Sequence, residues 1–236
     1  MKLWNHLNDI KLKNQVNYYK MVLGENFFVF DDVIDTKLQL KLLKYFDDNY
    51  KNWNHFKKDI SHGDGHNFYD YEFPAWSIDI NSKSKVDDGI VEIVKDIEKT
   101  VLKKIDMELL SNYRYKLSCY PPLIPYPPQE TFLRQIHTDK EIPHLVMVYY
   151  VNDVDGDTTL FRNKLGNTPI TNNKVERESI LGDFTNLEKI VSVSPKQGRV
   201  VIFDGILLHT PGWPSEYNRY IINFNTIVKT KNKSII

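Results

Sequence analysis

RYKLSCY (114–120), TFLRQIH (131–137), HLVMVYYVN (144–152), DTTLF (157–161), KIVSVS (189–194), GRVVIFD (198–204) and RYIINFNTIV (219–228) follow one another as short β-branched or aromatic runs, divided by Pro, Gly, Asn and Asp. Runs of this composition and length read as strands, and no helical period of apolar residues separates them. Consecutive short strands without crossover helices build a double-sheet jelly roll or a barrel, which excludes a doubly wound parallel sheet. Two long connections interrupt the series: the Pro-dense PPLIPYPPQE (121–130) and the polar stretch 163–188. Together with the aromatic-rich region 53–76, loops 121–131 and 163–188 are expected to rim a binding entrance.

Upstream the periodicity changes. FFVFDDVID (27–35) begins as a strand, and Asp35 or Thr36 then caps a helix with Leu38, Leu42, Leu43 and Phe46 on one face. Residues 52–82 carry aromatics, His and Gly without a sustained period and read as loop and short strands. From Val86 to about Leu110, apolar residues at 90, 93, 94, 97, 101, 105 and 109 predict the longest helix. The expected architecture is α+β: a double-stranded β-helix (jelly roll) with N-terminal supporting helices. We read one domain over 1–236, with 1–112 as strand-and-helix support and 113–229 as the core.

Composition narrows the function classes. The 236 residues are 41% hydrophobic and 26% charged, ordinary for a globular chain, and 31 Lys+Arg balance 31 Asp+Glu. A net charge of zero argues against nucleic acid as a partner. Cys119 is the single cysteine, so any metal has to be held by His, Asp or Glu. No run approaches the length of a membrane span and MKLWNHLNDIKLKNQ lacks a signal-peptide core, so no membrane association and a cytoplasmic location are expected. Six of the basic residues are Arg, which makes each a candidate for gripping a planar anion.

His137 and Asp139 close the TFLRQIH run, and in an extended segment alternate residues project to the same side. His209 follows GRVVIFDGILL, where a third imidazole can meet the pair inside a β-fold. Two His and one carboxylate on one face of an octahedron, with the other face open, is the non-haem Fe(II) arrangement. An HxD tripeptide alone is common by chance, and a single strand His is more often a satisfied polar residue than a ligand. The joint pattern is less accidental, because Arg219 opens the RYIINFN strand ten residues after His209. Asn223 and Asn225 share a strand face with Arg219, and inward amides need partners. His62 and His66 in HGDGH are separated by glycines, which makes a turn and not a shared helix face. His144 shows no partner in the sequence and reads as structural or exposed. Lys140 reads as a solvated charge near the entrance.

In these pieces, SCYPP, IHTD, VYYVND, DGDTTLF, GRVVIFDG, LLHTPG and NRYIINFN in that order over 114–228, the sequence resembles the Fe(II)/2-oxoglutarate-dependent dioxygenases. It is similar to the prolyl-hydroxylase-like branch and looks most like members carried by bacteriophages, whose setting would be the host cytoplasm. The resemblance implies His137, Asp139 and His209 as iron ligands and Arg219 as the partner of the distal carboxylate of 2-oxoglutarate. It implies further that Tyr120, Tyr150 and Thr158 line the cosubstrate pocket, although Tyr and Thr in strands are by themselves ordinary core residues. Fe(II), 2-oxoglutarate and O₂ are the implied cofactor set, with ascorbate as an accessory reductant. The substrate would be a prolyl or other protein side chain, or a small molecule. The Pro-rich stretch 121–128 and the 163–188 insertion depart from the family pattern and bear on substrate choice. The alternative is a non-catalytic jelly-roll binding protein.

Overall fold

The computed structural model describes residues 23, 26–56, 74–80, 86–123, 136–139, 144–165, 168–169 and 187–230. Strand β1 (Phe27–Phe30) leads into helix α1 (Thr36–Asn49), whose first turn is closed by the Asp35 carboxylate accepting from the Leu38 N–H at 3.0 Å. Strands β2 (Asn54–Phe56) and β3 (Ala75–Asp79) follow, then helix α2 (Asp88–Lys104), capped by Asp87. Asp88 in its first turn and Lys103 and Lys104 in its last complement the helix dipole. Among the described residues that follow, the regular elements are all strands: β4 (Met107–Tyr120), β5 (Leu145–Tyr150), β6 (Thr158–Leu165), β7 (Thr168–Pro169), β8 (Leu187–Val193), β9 (Val200–Asp204), β10 (Leu208–Pro211) and β11 (Arg219–Thr230).

Every strand pairing among the described residues is antiparallel. Seven strands form one sheet in the order β1-β9-β5-β11-β4-β3-β2, and β10, β6, β7 and β8 form a second. Strand alternation divides the apolar residues between two cores. Leu145, Met147 and Tyr149 of β5 join Leu42 and Phe46 of α1 and Ile90, Val94, Ile97 and Val101 of α2 on the outer face of the large sheet. Val146, Val148 and Tyr150 point the other way, meeting Val201, Phe203 and Ile221 from the large sheet and Leu160 and Val193 from the small one. Both faces of β5 are buried, which accounts for its continuous apolar run. Two antiparallel sheets sharing a core, with helices on one outer face, match the jelly-roll expectation. No described helix is long and apolar enough to cross a membrane.

The expected helix to about Leu110 is too long. Asp106 adopts a left-handed φ of 55° and turns the chain into β4, which begins at Met107. Ile105 and Leu109 continue the helical spacing by coincidence; Leu109 is in fact 39% exposed on a strand. The 163–188 connection is also less irregular than expected, since β6 runs to Leu165 and pairs with β7 and β8. Most of that connection, most of loop 121–131, the bulk of 53–76, His62, His66 and Lys140 lie outside the described residues.

Glu98 is the exception on the buried face of α2, 3% exposed and accepting from Tyr115 Oη at 2.5 Å and Asn112 Nδ2 at 3.0 Å. Burial raises its carboxyl pKa above the ordinary 4.5, against the opposing pull of these two donors. The folded state therefore holds the proton more tightly than the unfolded chain, so this group's contribution is largest at low pH and is lost as pH rises through the raised value. Wild type should lose stability relative to Glu98→Gln as pH climbs above 4.5. Melting temperatures of both proteins across that range check it; parallel curves would contradict it.

Candidate metal centre

His137 and His209 form an isolated antiparallel bridge: each backbone N–H donates to the other's carbonyl at 2.9 Å. Directly opposed residues project to the same face, and the two imidazole centroids lie 4.5 Å apart. The chain bends after His137 so that Asp139 Oδ1 comes 3.5 Å from His137 Nε2 and 3.8 Å from His209 Nε2. The three donor atoms lie within 4.8 Å of one another, comparable to twice a metal–ligand bond of about 2.1 Å.

Each ligand is oriented by a group behind it. His209 Nδ1 donates to the Leu207 carbonyl at 3.0 Å, which orients the ring with Nε2 toward Asp139, and Phe203 packs against the ring. Asp139 Oδ2 accepts from Asn225 Nδ2 at 2.6 Å and Asn223 Nδ2 at 3.4 Å, leaving Oδ1 for the imidazoles. Burial opposes ionisation of Asp139, but hydrogen bonds and charge from His137 and His209 outweigh it and hold the carboxyl well below the usual carboxylate range.

Of the two readings of His144, structural or exposed, the structural one holds, and its partner is one the sequence does not show. His144 is fully buried, and its Nε2 lies 3.2 Å from the same Asn225 Nδ2, so the amide spans His144 and Asp139 with one hydrogen to each. Gly205 makes room for the ring: a Cβ there would stand 2.3 Å from His144 Cε1 and Nε2. No local signal marks this, because His144 and Asn225 are 81 residues apart. Asn225→Ala should weaken divalent-metal binding by about 10–100-fold, as loss of a group behind a ligand does. Anaerobic Mn(II) titration of the variant is the measurement, and unchanged affinity would show the amide to be incidental.

The other four sequence candidates meet at the opposite end of β11. Arg219 is 1% exposed and faces Tyr120 across the β11–β4 ladder. Its guanidinium carbon sits 5.5 Å from the ring centroids of both Tyr120 and Tyr150, and Nη2 donates to Thr158 Oγ1 at 2.9 Å. Tyr150 Oη donates to the same Thr158 oxygen at 2.8 Å. Burial raises the Tyr150 pKa, with Arg219 pulling against it, so the phenol stays protonated as a donor. Arg219 Nε and Nη1 are buried without an acceptor. A buried cation with two unused donors is costly unless an anion completes it, so the chemistry of this pocket fits a bound carboxylate. Trp213, which sequence reasoning missed, closes the pocket edge-on against Tyr120 at 5.1 Å between centroids.

No protein-family model and no curated protein sequence matches this chain. Solved structures do. A prolyl hydroxylase from Trichoplax adhaerens, in complex with a hypoxia inducible factor oxygen degradation domain peptide, aligns over 95% of this chain and 92% of its own at 14% identity and a TM-score of 0.55. A prolyl-4-hydroxylase from Pseudomonas putida aligns over 92% of this chain and 98% of its own at 12% identity and TM-score 0.51. The non-heme alpha ketoglutarate dependent carbocyclase SnoK from nogalamycin biosynthesis aligns over 92% and 83%, at 11% identity and TM-score 0.56. At these identities the likeness is one of fold: the chain has the fold of 2-oxoglutarate/Fe(II) oxygenases and carries a His-Asp-His cluster that could hold a metal.

Proposed function

We propose that this chain is an Fe(II)- and 2-oxoglutarate-dependent oxygenase that hydroxylates a prolyl or other protein side chain, or a small molecule, as one domain whose jelly-roll half carries the site. The observation behind this reading is Arg219, buried with two unpartnered donors on the strand that also presents Asn223 and Asn225 to Asp139. A planar fork of this kind matches the two oxygens of a carboxylate, such as the one a dicarboxylate keto acid presents at the end away from a metal.

His137, Asp139 and His209 would hold Fe(II) on one face and leave the opposite face open. With 2-oxoglutarate and O₂, and ascorbate as accessory reductant, the bound iron supplies oxidising power for a C–H bond. The protein's part is position and exclusion of water. Arg219 sets the depth of the cosubstrate, Thr158 and Tyr150 fix the guanidinium, and Tyr120 with Trp213 covers its flank. Two of the neighbours are prolyl hydroxylases by name and one is a carbocyclase, so the shared fold does not choose the substrate.

The test is anaerobic calorimetry of 2-oxoglutarate into the Mn(II)-loaded and metal-free protein. Binding that requires the metal supports the oxygenase. Metal uptake without 2-oxoglutarate binding would favour the non-catalytic binding protein.

A further inference from the structure

Arg114 is an arginine that the metal and cosubstrate sites do not use. It stands directly across the β4–β11 ladder from Asn225, the residue whose amide holds Asp139. Paired residues in an antiparallel ladder project to the same face. The flanking residues agree: Tyr115 points to the helix side, where its hydroxyl reaches Glu98 and its ring packs edge-on against Phe224. Arg114 and Lys116 therefore rise on the face that carries Asn223 and Asn225.

Arg114 is half-buried, its Nε is buried without an acceptor, and its side chain makes no hydrogen bond or ion pair with any described residue. Lys116, the other cation on this stretch, stands opposite Asp79 in register, so its charge has a carboxylate beside it. Strand β3 ends at Asp79, and no β3 residue pairs with Arg114. Arg114 is too far along the ladder to serve the cosubstrate carboxylate: Arg219 and Asn225 are six residues apart, about 20 Å of strand. If the site is loaded as proposed above, the dication, the Asp139 carboxylate, the two carboxylates of 2-oxoglutarate and the Arg219 guanidinium sum to zero. The Arg114 charge is then left over at the metal end.

Resting on the oxygenase reading, we propose that Arg114 is the anion-binding residue of the substrate subsite, so that the molecule oxidised carries a carboxylate or phosphate close to the reacting carbon. Its planar fork would take two oxygens of that group and so fix which carbon faces the metal. Lys116, beside it on the same face, adds a weaker attraction.

The experiment uses the full chain loaded anaerobically with Mn(II) and saturating 2-oxoglutarate, probed with inorganic phosphate by ³¹P NMR and with ¹³C-labelled acetate by ¹³C NMR. Paramagnetic broadening by Mn(II) reports an anion held near the metal. Broadening is expected in wild type, with apparent affinity at least about tenfold weaker in Arg114→Gln and intermediate in Arg114→Lys. Whichever probe is broadened at lower concentration separates a phosphate-bearing from a carboxylate-bearing substrate. No broadening, or broadening equal in wild type and Arg114→Gln, overturns the subsite while leaving the oxygenase reading intact. Failure of the wild type to bind 2-oxoglutarate, measured first on the same sample, overturns the oxygenase reading and this one with it.

Discussion

Asp139→Ala is expected to reduce conversion of 2-oxoglutarate to succinate to background, and His137→Ala and His209→Ala to do the same. Asp139 Oδ1 faces both imidazoles, so its loss leaves two neutral ligands and no charge to hold a dication. It also strips Asn225 Nδ2 and Asn223 Nδ2 of their shared acceptor, which costs about 1–3 kcal/mol of stability where a buried donor is left unsatisfied. The histidine variants should be milder in stability, because their backbone bridge does not depend on the side chain. Succinate release with O₂ uptake is the activity readout, and Mn(II) affinity and melting temperature separate lost chemistry from lost fold. Near wild-type turnover in any two of the three variants would remove the metal assignment.

Arg219 carries the second large effect. Arg219→Lys keeps a point charge but loses the fork, and a lost hydrogen bond to a charged group is worth roughly 1.5–3 kcal/mol, so the dissociation constant for 2-oxoglutarate should rise by about ten- to a hundredfold. Arg219→Ala should be worse, since the distal carboxylate would be desolvated with no counter-charge. Metal affinity should hold, because Arg219 is not a ligand. Ligand-induced stabilisation offers an independent measure: at a hundred times the dissociation constant wild type gains about 2.7 kcal/mol, and the Ala variant should gain almost nothing at the same concentration. Arg219 is 1% exposed and bonded to Thr158, so it is not part of a surface ion pair. Equal 2-oxoglutarate affinity in wild type, Lys and Ala would withdraw the cosubstrate pocket.

Local sequence was enough for several features because they depend on neighbours along the chain. The capping of α1 by Asp35, the stripe of α2 from Ile90 to Val101 and the strand within HLVMVYYVN are all set within a few residues. The same locality explains where the reading went wrong. Ile105 and Leu109 fit a helical period, and nothing nearby announces that Asp106 turns the chain into the longest pair of the large sheet, β4 with β11. His137, Asp139, His209 and Arg219 were visible as residue types in strand context, with Tyr120, Tyr150 and Thr158 added by resemblance.

Local pattern supplies the set of chemically capable side chains and the strand alternation that turns them inward. Which of them meet was decided by pairing between distant strands. The bridge of His137 to His209, the Arg219 bond to Thr158 across 61 residues and the Asn225 amide shared by Asp139 and His144 all cross long stretches of chain. The physical reason is that a period of two or 3.6 residues is enforced by the backbone at short range, whereas ladder register is enforced by packing of whole faces. A one-residue slip of β11 against β4 would turn Arg219, Asn223 and Asn225 away from the site and leave the local pattern of each strand unchanged.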